Sequence, residues 1–176
     1  MSRDQLVTDW VASRFPNQSV GITPASADAS FRRYFRLTWP DGGTRILMDA
    51  PPDKEDCRPF IHVAGLLAKA DLAGPRILDK DLDNGFLVLT DLGRIGYLDA
   101  LNADPSLADT LMRPVLDVLV KWQLSSRAST LPPYDANLLR RELDLFPEWF
   151  IGRHLGFELA DEDKVMLDRT FKFLIN

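Results

Sequence analysis

Cysteine, histidine and long apolar runs are what this sequence has least of. Its 176 residues include one cysteine, Cys57, which excludes an internal disulfide and a cysteine-rich metal site. The two histidines, His62 and His154, are followed by Val63-Ala64 and Leu155-Gly156, so neither begins a His-x-Asp motif. There is no block of lysines or arginines and the net charge is −5, which argues against a nucleic-acid partner. No apolar run approaches the roughly 18 residues needed to span a bilayer, so no membrane partner is expected. The opening Met1-Ser2-Arg3-Asp4-Gln5 lacks the basic-then-apolar pattern of a secretory signal, and a cytoplasmic protein with a reduced thiol is the expectation. What remains is 45% hydrophobic and 27% charged, the balance of a folded globular chain. The length suits one ordinary domain or a pair of small lobes.

The periodicities divide the chain into a strand-rich front and a helical back. Ser2 to Phe15 reads as an amphipathic helix, with Ser2 and Gln5 as a capping box and Leu6, Val7, Trp10 and Val11 on one face. Strands are expected over residues 19–24, 31–39 and 44–50, the last two joined by the hairpin signal Asp41-Gly42-Gly43. A helix over residues 57–70 follows, then a strand at 75–78, a second hairpin signal at Asn84-Gly85, and the fully apolar strand Phe86-Leu87-Val88-Leu89. Beyond Gly93 the chain turns helical. Asp104 and Pro105 open a long helix to about Ser126, and Asp135 caps the next, which Pro147 breaks or kinks. Gly156 suits a helix end, and Asp161-Glu162-Asp163 opens a last helix at its positive pole. The predicted class is α+β: a five-stranded, largely antiparallel sheet with one inserted helix, then helices. The final helix reaches Asn176 on an apolar run without a stop signal, which predicts an amino-terminal portion of a longer protein that exposes Phe171, Leu174 or Ile175 and self-associates.

Three stretches carry a resemblance. Asp28-Ala29-Ser30-Phe31-Arg32-Arg33-Tyr34-Phe35-Arg36, Ile46-Leu47-Met48-Asp49-Ala50-Pro51-Pro52 and Val88-Leu89-Thr90-Asp91-Leu92-Gly93 together resemble the aminoglycoside-phosphotransferase superfamily of kinases. With Glu142 to Phe150 they are similar, more narrowly, to the amino-sugar kinases of cell-wall recycling. The resemblance covers about residues 5–176. It implies a protein-kinase-like fold, with a nucleotide-binding small lobe at residues 1–92 and an incomplete helical large lobe at 93–176. It further implies ATP and Mg²⁺ as cofactors and, as acceptor, the anomeric hydroxyl of N-acetylmuramate or N-acetylglucosamine.

Phosphoryl transfer needs held phosphates, metal ions and an oriented nucleophile. The small, polar residues 25–30, ending in Ser30, allow backbone N–H groups to approach phosphate. Arg32, Arg33 and Arg36 follow, and guanidinium forks match phosphate oxygens. Strand alternation sets Arg33 against Arg32 and Arg36, so one face at most serves the nucleotide. On the third strand, the position where kinases carry a basic residue falls near Asp49; a carboxylate there can hold only an arginine or a metal. Arg32 or Arg33 is therefore expected to supply the missing charge. Leu89, Thr90 and Leu92 are the candidates for the adenine hinge, with Asp91 capping the turn that Gly93 completes. Glu142 and Trp149 offer a carboxylate for sugar hydroxyls and an indole for a sugar face; the alternatives are a surface partner of Arg141 and a core residue.

The loop pattern His-x-Asp-x-x-x-x-Asn that orients the nucleophile and binds metal is absent from these 176 residues, so no catalytic residue and no metal ligand is assigned. The isolated chain is expected to be inactive. Three functions stay open: an amino-sugar kinase, a non-catalytic kinase-like binding module, and an aminoglycoside-modifying kinase.

Overall fold

The computed structural model describes residues 1–27 and 30–176. Asp28 and Ala29, in the middle of the loop assigned to phosphate, lie outside the described residues. The chain forms two compact units, Met1–Ser126 and Arg127–Asn176.

The first unit is built on five antiparallel strands, as the class reading expects: β1 (Gly21–Ala27), β2 (Arg33–Thr38), β3 (Thr44–Asp49), β4 (Ile77–Asp81) and β5 (Phe86–Thr90), in the order β1-β2-β3-β5-β4. The hairpin signals sit where they were expected. Gly42 takes φ +85° in the β2–β3 turn and Gly85 φ +71° in the β4–β5 turn. Gly85 is needed for space as well as for conformation: a Cβ there would lie 1.8 Å from the Ala50 carbonyl oxygen. Ala50 donates its amide to the Gly85 carbonyl at 2.8 Å, which ties the end of β3 to the start of β5. Edge strand β1 carries Pro24, which costs no ladder bond there, and its register slips between Pro24 and Ser26.

Alternation sends side chains to two cores. Leu37, Leu47, Phe86 and Val88 face helix α1 (Arg3–Arg14) and bury Val7, Trp10 and Val11. Met48, Leu87 and Leu89 face helix α2 (Cys57–Lys69) and bury Cys57, with Phe60 and Ile61 packed alongside. This is why β5 is apolar throughout: Phe86 to Leu89 are each covered on their own side of the sheet. Ser2 caps α1 by accepting from the Gln5 amide, but the Gln5 side chain donates to Asp9, so only half of the expected capping box forms. The Trp10 indole donates to Asp81 at 2.7 Å and Arg14 grips Asp79, fastening α1 to β4.

After the sheet come α3 (Tyr97–Ala103), a helix not read from the sequence, then α4 (Ala108–Ser125). Asp104 caps a single 3₁₀ turn, Pro105–Leu107, rather than α4 itself. α4 runs through Pro114. Lys121 on α4 donates to the Asp71 carbonyl at 2.7 Å.

In the second unit, Asp135 caps α5 (Ala136–Leu145) through the Leu138 amide. Pro147 does not stop the helix. Without an N–H it cannot continue the α pattern, and the chain widens into a π-helical segment, Phe146–His154, closed by Gly156 at φ +69°. Helix α6 (Asp161–Ile175) follows. Its expected exposed residues need one correction. Phe171 is buried beneath Arg140, whose guanidinium lies 5.5 Å from the ring centroid. Arg140 is held there by Asp144 and Asp168. Phe173 and Leu174 are the exposed residues.

Candidate functional site

A cleft of about 420 Å³ opens on the α2 face of the sheet. Tyr34 and Arg36 from β2, Ile46 from β3 and Leu89 from β5 form its floor. Strand alternation dictates this choice, since these side chains share a face with Met48 and Leu87. Phe60 of α2 and Pro75 close one side. The slipped register of β1 brings Ala25 and Ser26 to another, and the linker from Thr90 to Gly96 forms the rim.

The linker is fixed at both ends. The Thr90 amide donates to the Arg76 carbonyl at 3.0 Å, and the Thr90 hydroxyl accepts from the Arg76 amide at 3.0 Å. Arg36 reaches over β3 to Asp91: Nε to Oδ2 is 2.6 Å and Nη2 to Oδ1 is 3.0 Å. Nη2 also donates to the Gly93 carbonyl at 2.8 Å. The Gly93 amide donates to Asp91 Oδ1 at 2.9 Å, so Asp91 caps this turn as expected. Both side chains are nearly closed to solvent, at 8% and 7%. The Arg36 hydrogen bonds hold the Asp91 carboxyl well below the usual carboxylate range, and those to Asp91 raise the Arg36 guanidinium.

The structure distributes the residues singled out for nucleotide as follows. Leu89, Thr90 and Leu92 all line the cleft, Leu92 at the exposed rim. Ser30 and Arg32 are brought together between β1 and β2, where the Ser30 hydroxyl accepts from the Arg32 amide at 3.2 Å and from its Nε at 3.0 Å. Neither belongs to the cleft walls among the described residues. Arg33 lies on the opposite face of the sheet, towards α1. Its guanidinium donates to Asp49 from Nε at 2.9 Å and from Nη2 at 2.6 Å, and to Asp4 from Nη1 at 2.5 Å. Asp49 is fully buried and takes a second arginine, Arg3, at 2.6 Å. The carboxylate at the third-strand position therefore holds arginine, one of its two expected roles.

Sequence reading named Arg36 only among three arginines suited to phosphate and gave it no partner. Alternation placed it on one face with Arg32, but its partner lies 55 positions away, beyond the reach of any local pattern.

In the second unit, Glu142 is half exposed and accepts weakly from Arg141 at 3.3 Å. Trp149 is 52% exposed and is not a core residue. The Arg153 guanidinium stacks 3.9 Å from the Trp149 ring centroid and pairs with Glu148 at 2.9 Å. Phe146, Phe150 and His154 stack along the π-helical segment. Among the described residues there is no group of three or more His, Cys, Asp or Glu that could hold a metal ion, and no helix long and apolar enough to cross a membrane.

Residues 21–175 match the model of the phosphotransferase enzyme family. The chain is 49% identical to an N-acetylmuramate/N-acetylglucosamine kinase of Pseudomonas aeruginosa over 186 aligned positions, covering 99% of this chain and 54% of the relative. A kinase of the same name from Pseudomonas putida is 49% identical over 88% of this chain and 45% of its own length. One from Neisseria meningitidis is 37% identical over 99% and 52%. The chain thus spans about half the length of the curated relatives it matches. With a kinase-like sheet, an inserted helix and a matching profile over nearly its whole length, the chain belongs to the phosphotransferase enzyme family.

Proposed function

We propose that this chain supplies the nucleotide-binding part of an ATP-dependent kinase acting on a small-molecule hydroxyl, the anomeric hydroxyl of an N-acetylated amino sugar. The observation that carries the proposal is the cleft on the α2 face. Ile46, Leu89 and Leu92 offer an apolar slot for a flat base, and the linker offers backbone groups at its rim. Residues 1–92 act as the nucleotide lobe, with Leu89, Thr90 and Leu92 framing adenine. Ser30 and Arg32 meet the phosphates, Arg32 as the charged donor. Arg33 is a poor candidate for that role because Asp49 and Asp4 already engage it on the other face.

Residues 93–176 contribute to the acceptor side, with Glu142 and Trp149 as sugar contacts. The names of the three relatives support the choice of sugar. Bound Mg²⁺ would neutralise charge on the transferred phosphoryl group, and no His-x-Asp loop that would hold it and orient the hydroxyl occurs within these 176 residues. The chain by itself therefore transfers no phosphate.

Calorimetry of the complete gene product with ATP and Mg²⁺, followed by turnover assays on amino sugars and on aminoglycosides, tests the reading. Binding of ATP with turnover of an amino sugar alone is expected. Absence of ATP binding removes the kinase reading, and turnover of aminoglycosides alone removes the substrate.

A further inference from the structure

Three charged side chains line the cleft on the α2 face: Arg36, Asp91 and Arg94. Arg36 and Asp91 cancel one another through their two-point pair at 2.6 and 3.0 Å. Arg94 has no such partner. Among the described residues its guanidinium makes no hydrogen bond, ion pair or ring contact. The described cleft walls therefore carry one net positive charge, and Arg94 is its source. Arg3 and Arg33, by contrast, are engaged by Asp49 and Asp4 on the other face of the sheet.

The chain around Arg94 is held on both sides. The Gly93 amide donates to Asp91 at 2.9 Å, and its carbonyl accepts from Arg36 at 2.8 Å. Three residues on, the Gly96 amide donates to Asp99 at 3.1 Å, and its carbonyl accepts from the Ala100 amide at 3.1 Å as α3 begins. Only Arg94 and Ile95 lie between these fixed points. Gly93 takes φ +106°, which L side chains rarely adopt, so the turn just before Arg94 depends on a glycine. A donor whose backbone is set in advance loses less freedom when a ligand arrives. An apolar slot with one uncompensated cation at its lip suits a ligand that joins a flat ring to an anionic tail, and a guanidinium fork matches phosphate oxygens. We infer that Arg94 is a phosphate-binding residue: from the linker it donates to the phosphates of the nucleotide whose base lies over Ile46 and Leu89. The inference rests on the nucleotide role proposed above.

The test uses the complete gene product with Arg94→Gln, which removes the charge, and Arg94→Lys, which keeps the charge and loses the fork. Arg94 is exposed and holds no other side chain, so both variants are expected to melt as wild type does. Affinities for ATP with Mg²⁺ and for adenosine, which has the same base and ribose without phosphate, are measured by direct and displacement calorimetry. Wild type is expected to bind ATP more tightly than adenosine. In Arg94→Gln the ratio of the two affinities falls about fivefold, less than for a desolvated contact because the rim is open to water, while adenosine binds as before. Arg94→Lys recovers part of the loss. ATP binding by wild type also weakens more steeply with added salt than binding by Arg94→Gln. Equal weakening of ATP and adenosine would set Arg94 against base or ribose, and an unchanged ratio would make it a solvated surface residue. Either result overturns the phosphate role and leaves the nucleotide reading intact. So does an unchanged ratio with a selective loss of turnover on N-acetylmuramate, whose lactyl ether carries a carboxylate that N-acetylglucosamine lacks. A wild type that binds neither ATP nor adenosine overturns both.

Discussion

Arg33 and Asp49 stand directly opposite one another on β2 and β3 and are joined through two guanidinium nitrogens, with Arg3 closing on the same carboxylate from α1. Asp49 has no exposure, so its loss strands two arginines beside a core. Replacing Asp49 with alanine is expected to cost about 3–5 kcal/mol of stability in denaturant unfolding. Replacing it with lysine, the basic type that the resemblance implies near this position, is expected to destabilise similarly without strengthening ATP binding, because position 49 faces α1 and not the cleft. Tighter ATP binding by a folded Asp49→Lys protein would contradict this placement.

The three arginines of the β1–β2 region should separate in a titration. Charge-assisted hydrogen bonds contribute about 1.5–3 kcal/mol, so Arg32→Ala is expected to weaken ATP by about tenfold or more in the complete gene product. Arg33→Ala should lower the melting temperature and leave ATP affinity within about twofold. The opposite pattern in calorimetry would move the phosphate contact to Arg33.

The Arg36–Asp91 pair predicts an acid limb in the stability curve. The folded-state pKa of Asp91 is depressed from its ordinary 3.8 by Arg36, so the unfolded chain binds the proton more tightly. The stabilisation is fully present above the unfolded value. It is lost as the pH falls from about 4 through the depressed folded value. Asp91→Asn should be less stable than wild type near neutrality by about 3 kcal/mol, the lower end for a broken buried pair because this one borders an open cleft. The gap between the two should narrow below about pH 4. Parallel melting curves at all pH values would show that the pair contributes nothing.

Trp149 is half exposed, so Trp149→Ala should barely change the melting temperature. If the indole meets the sugar, its removal raises the sugar Michaelis constant about tenfold and leaves that for ATP unchanged. Glu142→Gln should act in the same direction. A large drop in melting temperature with unaltered kinetics would make both residues structural.

The 176-residue polypeptide is expected to show no ATP-dependent phosphorylation of N-acetylmuramate or N-acetylglucosamine above a no-enzyme control, since it has no His-x-Asp loop to orient the hydroxyl. Turnover by purified polypeptide would place the catalytic groups within these residues.

The sheet was legible because its signals are local. Asp41-Gly42-Gly43 and Asn84-Gly85 fix two turns by backbone conformation alone, and Phe86-Leu87-Val88-Leu89 has no polar face to expose. Long-range pairings were legible only as requirements. A carboxylate at Asp49 demanded an arginine or a metal, but nothing near it in sequence points to Arg3, 46 residues earlier. The pairing of Arg36 with Asp91 was missed for the same reason. In the helical half the misses come from competing short-range choices. Asp104-Pro105 reads as a helix start and makes one 3₁₀ turn, while Pro147 reads as a break and is absorbed by a wider helix. Phe171 looked like a bare residue because Arg140, which covers it, is a charged residue on another helix; its aliphatic stem and planar head shield a ring as well as an apolar neighbour does.

The strand order has a consequence for how the chain acquires its shape. β1, β2 and β3 follow closely in sequence, as do β4 and β5, but the central pairing of Leu47 with Val88 joins strands separated by the whole of α2. Closing that long loop must precede any reward from the pairing, so it sets the pace of folding more than either hairpin does. On the ribosome, β3 therefore emerges with one edge unpaired and stays so until Phe86–Thr90 has been made. Ile46 and Met48 wait beside that edge, and whatever shields them in the interval protects the nascent chain from pairing with another copy of itself.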